Sequence, residues 1–92
     1  MQIKKREAES LLFNKLGIAP MSKKHHIGGY LIYKGRRILK YHFSHGRGDM
    51  VGNVGDIFRQ SFLLDELQFI NLLKCPLDKE GYINILKEKG RI

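Results

Sequence analysis

The sequence predicts an α+β fold, built as a single domain over residues 1–92. Three observations indicate this class. The N-terminal segment has the apolar spacing of an amphipathic helix, residues 26–44 contain two runs rich in Ile, Leu, Tyr and Phe around a short turn, and residues 53–90 contain further helical segments. A chain of this length can bury one modest hydrophobic core but not two.

The charge of the chain indicates what kind of partner it binds. Lys and Arg number 17 and Asp and Glu number 9, so the formal net charge is +8. A charge of this size on a small surface favours a polyanionic partner, either nucleic acid or an acidic protein. The alternative is a basic surface that serves only to keep the protein in solution.

The single cysteine and the N-terminal segment indicate in which cellular compartment we expect the protein. Cys75 has no second cysteine to pair with, which excludes an internal disulfide and a zinc site with four cysteine ligands. We expect it to be a small core residue. The charged start Met1–Glu7 predicts no signal peptide, and no apolar run has the length of a membrane span. We therefore expect a cytoplasmic protein with no membrane partner.

The first element is a helix from Ile3 to Leu16. Apolar residues fall on one stripe of this segment, and Gly17 provides a C-terminal stop. The connector Ile18–Ser22 contains Pro20, which resists helix, and the stretch from about Ile18 to Met21 is a candidate for a short third strand at the edge of the sheet.

The next element is a β-hairpin with strands His26–Tyr33 and Arg37–Ser44. A two-residue turn at Lys34-Gly35 pairs Tyr33 with Arg36 and places His25 opposite Ser44, on the same face as Lys40 and His42. A three-residue turn shifts the register by one and places His26 there instead. We favour the two-residue turn and therefore His25. The core-facing side chains of the hairpin are expected to be Tyr30, Ile32, Leu39, Tyr41 and Phe43.

A glycine-rich basic loop, His45–Asn53, connects the hairpin to the helical half. Its backbone amides, with Arg47, are suited to hold a phosphate, and a flexible turn is the alternative. Asn53 is expected to cap a helix that runs to about Phe62 and buries Val54, Ile57, Phe58 and Phe62.

Two more helices are predicted after this. Asp65 and Gln68 have capping-box spacing for a helix that ends at Lys74 and buries Leu67, Ile70 and Leu73, with Phe69 as a further candidate. Asp78 caps a last helix that stops near Gly90, with Tyr82, Ile85 and Leu86 inward. This last helix belongs to a C-terminal extension over about residues 76–92.

All four histidines, His25, His26, His42 and His45, fall near one end of the predicted hairpin. One interpretation is a metal site that uses the spacing of His42 and His45, although cationic neighbours oppose a dication. A second is acid–base chemistry on RNA, and a third is a structural role at a strand end. For the group we favour catalysis without metal or other cofactor.

RNA cleavage without metal needs a base for the 2′-hydroxyl proton, an acid for the leaving oxygen, and cations for the phosphorane charge. Histidine fits the first two roles near neutral pH. The third role falls to Lys40, Lys24 or Arg47, with Lys23 adding positive charge. DNA lacks the 2′-hydroxyl, so this mechanism selects RNA.

The sequence resembles the HicA family of toxin–antitoxin mRNA interferases over nearly all of residues 5 to 70. Lys24–Ile27 stands where that family has its Gly-Ser-His or Gly-Ser-His-His element. Leu16-Gly17-Ile18 is similar to the end of the family's first helix, Gly35–Ile38 to its hairpin turn, and Gly52–Gln60, with Leu64 and Glu66–Phe69, to its second helix and the segment after it.

The resemblance implies a double-stranded-RNA-binding-domain-like fold with helices on one face of a small antiparallel sheet. It implies a type II toxin that cleaves mRNA independently of the ribosome, with His25 or His26 as the catalytic histidine, and inhibition by an acidic HicB-type antitoxin. Two other functions remain open from the residues alone. One is a non-catalytic nucleic-acid-binding module, and the other is a protein whose basic surface binds an acidic partner.

Overall fold

The computed structural model describes residues 1–23, 26–44, 49–74 and 76–92. It confirms a small α+β fold with a three-stranded antiparallel sheet in the described ranges. In chain order the elements are α1 (Lys5–Glu9, continued as a π-helix over Ser10–Lys15), β1 (Met21–Lys23), β2 (His26–Tyr33), β3 (Arg36–Ser44), α2 (Asn53–Gln60), α3 (Glu66–Lys74) and α4 (Lys79–Glu88).

The first helix is shorter and less regular than predicted. Ile3 lies outside it and exchanges backbone hydrogen bonds of 2.7 and 2.8 Å with Met50, which fixes the N-terminal segment beside the end of the sheet. The second half is wound more widely, because the amide of Leu16 donates to the carbonyl of Leu11, five residues earlier. Gly17, at φ 65°, ends the helix in the left-handed region, as predicted.

The sheet has the order β1-β2-β3, with each neighbour antiparallel. Lys34 and Gly35 form the two-residue turn with φ 51° and 77°, and Tyr33 pairs with Arg36, so the predicted turn is confirmed. A bulge at Ile38 then shifts the register by one residue.

The bulge makes the predicted register wrong between Leu31 and the start of β2. His26, not His25, pairs with Ser44, and Gly28 pairs with His42. Tyr30 and Ile32 consequently leave the core face, and Ile32 is 53% exposed. The predicted core positions Tyr41 and Phe43 are correct, because β3 keeps its alternation beyond the bulge.

The helix caps were predicted with mixed success. Asp65 and Gln68 form the expected capping box, with bonds of 2.7 and 3.2 Å, and Asp78 accepts a 2.8 Å bond from the amide of Gly81. Asn53, however, is the first residue of α2, and the preceding Gly52 occupies the cap position without a side-chain bond.

The apolar faces of α2 and α3 were predicted in part wrongly. Phe58, Phe62 and Phe69 are buried, but Val54, Ile57, Leu67 and Ile70 lie outward. Both helices carry more apolar side chains than one face accommodates. The aromatic rings occupy the inward positions because they pack against each other. The ring centroids are 5.2 Å apart for Phe58–Phe62 and for Phe62–Phe69.

The helices and the sheet share one core on one side of the sheet. Tyr41 of β3 stacks on Phe62 with ring centroids 4.3 Å apart, and Phe43 packs edge-on against Phe58. The buried apolar residues are Ile3, Ala8, Leu11, Leu12, Leu16, Ile18, Leu31, Tyr41, Phe43, Met50, Phe58, Phe62, Leu64, Phe69, Leu72, Tyr82, Ile83 and Leu86. The predicted core residue Cys75 lies outside the described residues.

The C-terminal helix α4 belongs to this core. Tyr82 and Leu86 are buried as predicted, while Ile85 is only half-buried. The Tyr82 hydroxyl donates to the carbonyl of Phe62 at 3.0 Å and lies 2.7 Å from the Tyr41 hydroxyl. Because Tyr82 has one proton to donate, Tyr41 is the donor to Tyr82. Burial raises the pKa of both tyrosines, so these hydroxyls stay protonated.

Contacts between α1 and α3 close the other side of the core. Lys74 forms an ion pair with Glu7 at 2.8 Å, and Lys15 donates to the carbonyl of Leu72. The hydrogen bond from Lys74 lowers the pKa of Glu7. None of the described helices combines the length and apolar composition that crossing a membrane requires.

The turn residue Lys34 gives a stability prediction. A side chain in the left-handed region is strained, and asparagine tolerates that conformation better than lysine. Lys34→Asn is therefore expected to raise the free energy of unfolding by about 0.5–1 kcal/mol in urea titration. Gly35→Ala, at φ 77°, serves as the opposite control and is expected to destabilise. Equal stability of all three proteins would contradict this prediction.

Candidate nucleic-acid interface

One face of the sheet is left uncovered by the helices. We call it the open face, and it consists of His26, Gly28, Tyr30 and Ile32 of β2 and Arg37, Lys40, His42 and Ser44 of β3. Most of these side chains are exposed, in contrast to the buried side chains of the opposite face. The polar residues of the hairpin are therefore presented together on one surface.

Two histidines lie in contact on this face. The rings of His26 and His42 have centroids 5.2 Å apart and meet edge to face at an interplanar angle of 66°. Their contact depends on the bulge at Ile38, because the shifted register brings them to diagonal positions on adjacent strands. Both side chains are exposed, so a ligand bound on the open face can reach their ring nitrogens.

A hollow of about 220 Å³ lies beside the histidines. Gly28 forms part of its floor, and a side chain there has no room, since a Cβ would lie 1.9 Å from the carbonyl oxygen of Tyr41. The hollow is lined by Met21, His26, Ile27, Gly28, Gly29, Tyr30, Lys40, Tyr41 and His42. An exposed lysine and two imidazoles at its wall make it suited to an anionic group.

Two cations lie close to the ring of Tyr30, further along the open face. The Arg37 guanidinium carbon lies 4.6 Å from the Tyr30 ring centroid and the Lys40 ammonium 5.8 Å from it. An aromatic ring with cations beside it suits both parts of a nucleic acid, because a base can stack on the ring and the phosphates meet the charges. Sequence reasoning missed Tyr30 because it assigned this residue to the core.

A second groove, of about 280 Å³, lies on the α2 side of the same histidines. His26 and His42 line this groove as well as the hollow, together with Val54 and Ile57 of α2. Ile57 is 65% exposed. The histidines thus form a ridge between a basic hollow and an apolar groove.

The far end of the hairpin carries a separate group of cations. Lys34 and Lys87 have their ammonium nitrogens 5.5 and 5.2 Å from the Tyr33 ring centroid. A hydrogen bond from Lys87, with the nearby charge of Lys34, lowers the pKa of Tyr33. A cavity of about 420 Å³ here is lined by Tyr33, Lys34, Arg36, Arg37, Ile38, Arg91 and Ile92. Only the run Lys34–Arg37 was visible in sequence, without its partners from the C-terminal end.

The structure places some of the predicted site residues and leaves the others outside the described ranges. His26, His42 and Lys40 come together on the open face. The backbone of Lys23, at the end of β1, pairs with that of His26. The predicted site residues outside the described ranges are Lys24, His25, His45 and Arg47. The register, however, gives His26 the position beside His42 for which we favoured His25.

The metal interpretation rested on His42 and His45, of which His45 is outside the described residues. Within the described ranges, no group of three or more His, Cys, Asp or Glu side chains is placed to hold a metal ion. The neighbours of His42 on the open face are the imidazole of His26 and the cation of Lys40, which lines the same hollow. This donor set suits phosphate contacts and proton transfer better than a dication.

Comparisons with protein-family models, with curated proteins and with solved structures found no match to this chain. The function therefore has to be argued from the chain's own residues and geometry.

Proposed function

We propose that this protein is an RNA-cleaving toxin of the HicA type, with a double-stranded-RNA-binding-domain-like fold, which cuts mRNA by histidine acid–base chemistry without a metal. A helix, three antiparallel strands and a following helix occur in the order that such a fold requires. The single observation that carries the proposal is the contact of His26 with His42 on an exposed, basic sheet face.

The residues of the open face supply the groups that the reaction needs. One imidazole takes the proton of the 2′-hydroxyl as that oxygen attacks the phosphorus, and the other gives a proton to the leaving 5′-oxygen. Lys40 lines the same hollow and offsets the negative charge of the phosphorane. The products are a 2′,3′-cyclic phosphate and a 5′-hydroxyl end, with no water consumed in this step.

The proposal also includes a protein partner. A toxin of this kind requires inhibition in the cell, and a small acidic antitoxin of the HicB type fits the net charge of +8. Such a partner neutralises the open face when it covers the cations around Tyr30. The active protein is then the form released from it, in the cytoplasm where mRNA is found.

A second function is favoured by a specific observation. Tyr30, with Arg37 and Lys40 against its ring, is a stacking platform that binds single strands without any chemistry. A non-catalytic RNA-binding or DNA-binding module uses this platform and leaves the histidines as phosphate contacts. Cleavage separates the two functions, because both predict binding.

The deciding test compares RNA and DNA of one sequence in the presence of EDTA. The purified protein is expected to cut the RNA strand, to leave the DNA strand intact, and to produce 2′,3′-cyclic phosphate ends detectable by mass spectrometry. Chelation is expected to leave the rate unchanged. Binding of both strands without cleavage supports the stacking module instead, and loss of cleavage in EDTA contradicts a metal-independent mechanism.

A further inference from the structure

We propose that the far end of the hairpin is a second binding site, which holds a backbone phosphate of the same RNA strand whose cleavage occurs at the histidines. The site, called the tip cluster, consists of Tyr33 with the cations Lys34, Arg36, Arg37, Lys87 and Arg91. The inference rests on the proposed function for the identity of its ligand.

The positive charge of the tip cluster is not compensated by nearby carboxylates in the part of the chain that the structure describes. All five cations are exposed, and none takes part in an ion pair with a carboxylate of the described residues. Like charges held close together repel each other, which costs stability unless an anion joins them. The cavity of about 420 Å³, which four of them line (Lys34, Arg36, Arg37 and Arg91), has room for a phosphate and its sugar.

The chemistry of the group is that of a phosphate site. Arg36, Arg37 and Arg91 offer guanidinium forks that bind phosphate oxygens in a bidentate manner, and two lysines add point charges. The cations come from distant parts of the chain, since the hairpin contributes some and the end of α4 with the residues after it the others. The packing of α4 against the sheet therefore assembles the cluster.

Lys34 of the tip cluster has a strained backbone. This residue adopts φ 51° at a turn position where glycine or asparagine is favoured, and its ammonium lies over Tyr33. Strain of this kind persists where a residue serves a function. We infer that lysine occupies the position for its charge, so Lys34→Asn is expected to stabilise the fold and weaken RNA binding together.

The tip cluster is continuous with the open face. Arg37 lines the tip cavity, while its guanidinium also packs on Tyr30 of the open face. Lys40, which also lies near the Tyr30 ring, lines the hollow beside His26. Seven strand positions separate His26 from Tyr33, which corresponds to roughly 23 Å at about 3.3 Å per residue. A strand cut at the histidines thus meets cations along the whole sheet, which favours an RNA backbone over an acidic protein as the ligand.

The test measures binding of a 2′-O-methyl RNA strand of about 12 nucleotides, which cannot be cleaved through its 2′-oxygen. The double variant Arg36→Gln/Arg91→Gln is compared with the native protein and with a matched control, Lys4→Gln/Lys79→Gln. The control loses the same charge from exposed positions outside the tip cluster and the open face. Kd is measured by fluorescence anisotropy at several salt concentrations.

The tip variant is expected to bind at least about tenfold more weakly, since each substitution removes a charge-assisted hydrogen bond to phosphate. Its slope of log K against log salt is expected to become shallower by about 0.7, the contribution of the one single-strand phosphate that the tip cluster no longer neutralises. The control is expected to keep a slope close to that of the native protein.

Equal slopes for the tip variant and the control overturn the inference. Equal slopes are also the result expected if the tip cluster binds an acidic protein instead of RNA. The result is independent of catalysis. Native protein that binds the modified strand with the expected slope change but does not cut ordinary RNA refutes the proposed function and supports the tip site. Cleavage of ordinary RNA without a slope change in the tip variant supports the proposed function and refutes the tip site.

Discussion

Substitution of His26 by alanine is expected to lower the rate of RNA cleavage by about 10²–10⁴-fold, the range that general acid–base catalysis contributes. His26 is exposed and lies against His42 on the open face, so its loss removes a proton carrier without opening a cavity in the core. RNA binding is expected to change little, because the cations of Lys40 and Arg37 remain. Single-turnover cleavage and anisotropy on the same RNA separate the two effects.

Three further variants sharpen this test. His42→Ala is expected to cause a comparable loss, and the double variant is expected to be hardly slower than either single one, because the two rings act as a unit. His25→Ala is the control, since the register gives the position beside His42 to His26. Full activity of His26→Ala with loss of activity in His25→Ala would contradict the assignment of His26 to the site.

The largest effect on stability is expected at Tyr82. Tyr82→Ala removes a fully buried ring that packs against Phe62 and whose hydroxyl bonds to Tyr41, and it is expected to lower the free energy of unfolding by about 3–5 kcal/mol. On a domain of this size the net stability is about 5–15 kcal/mol, so the variant unfolds in much less urea. Circular dichroism during urea titration measures the change.

Tyr82→Phe isolates the hydroxyl from the ring. It removes the donor to the carbonyl of Phe62 and the acceptor for Tyr41, and leaves both buried. The expected loss is about 1–3 kcal/mol. Tyr30→Phe is the matched control, because Tyr30 is only partly buried on the open face, and it is expected to unfold like the native protein. A Tyr82→Phe variant as stable as the native protein would show that the hydroxyl chain contributes nothing.

The features that could be predicted from sequence are those with local causes. The two-residue turn at Lys34-Gly35 follows from spacing, and the caps at Asp65 and Asp78 follow from side chains that bond to the backbone three residues on. Each involves a few consecutive residues. The order of helices and strands was predictable for the same reason.

The features that could not be predicted depend on distant packing. Nothing in the residues around Ile38 marks a bulge, which places Leu31 instead of Tyr30 on the core face beside Tyr41 and Phe43. That one residue decides which histidine meets His42, so the position of His26 was beyond local reasoning. The tip cluster likewise needs Lys87, from the other end of the chain, to reach the hairpin.

The hydroxyl pair of Tyr41 and Tyr82 links two positions of this chain that are 41 residues apart. A relative without the last helix would bury the hydroxyl of Tyr41 with no acceptor, which costs free energy that phenylalanine avoids. The residue types at the two positions are therefore expected to change together as related sequences diverge. Tyrosine at both positions becomes a marker, readable from sequence alone, for chains whose fourth helix completes the core.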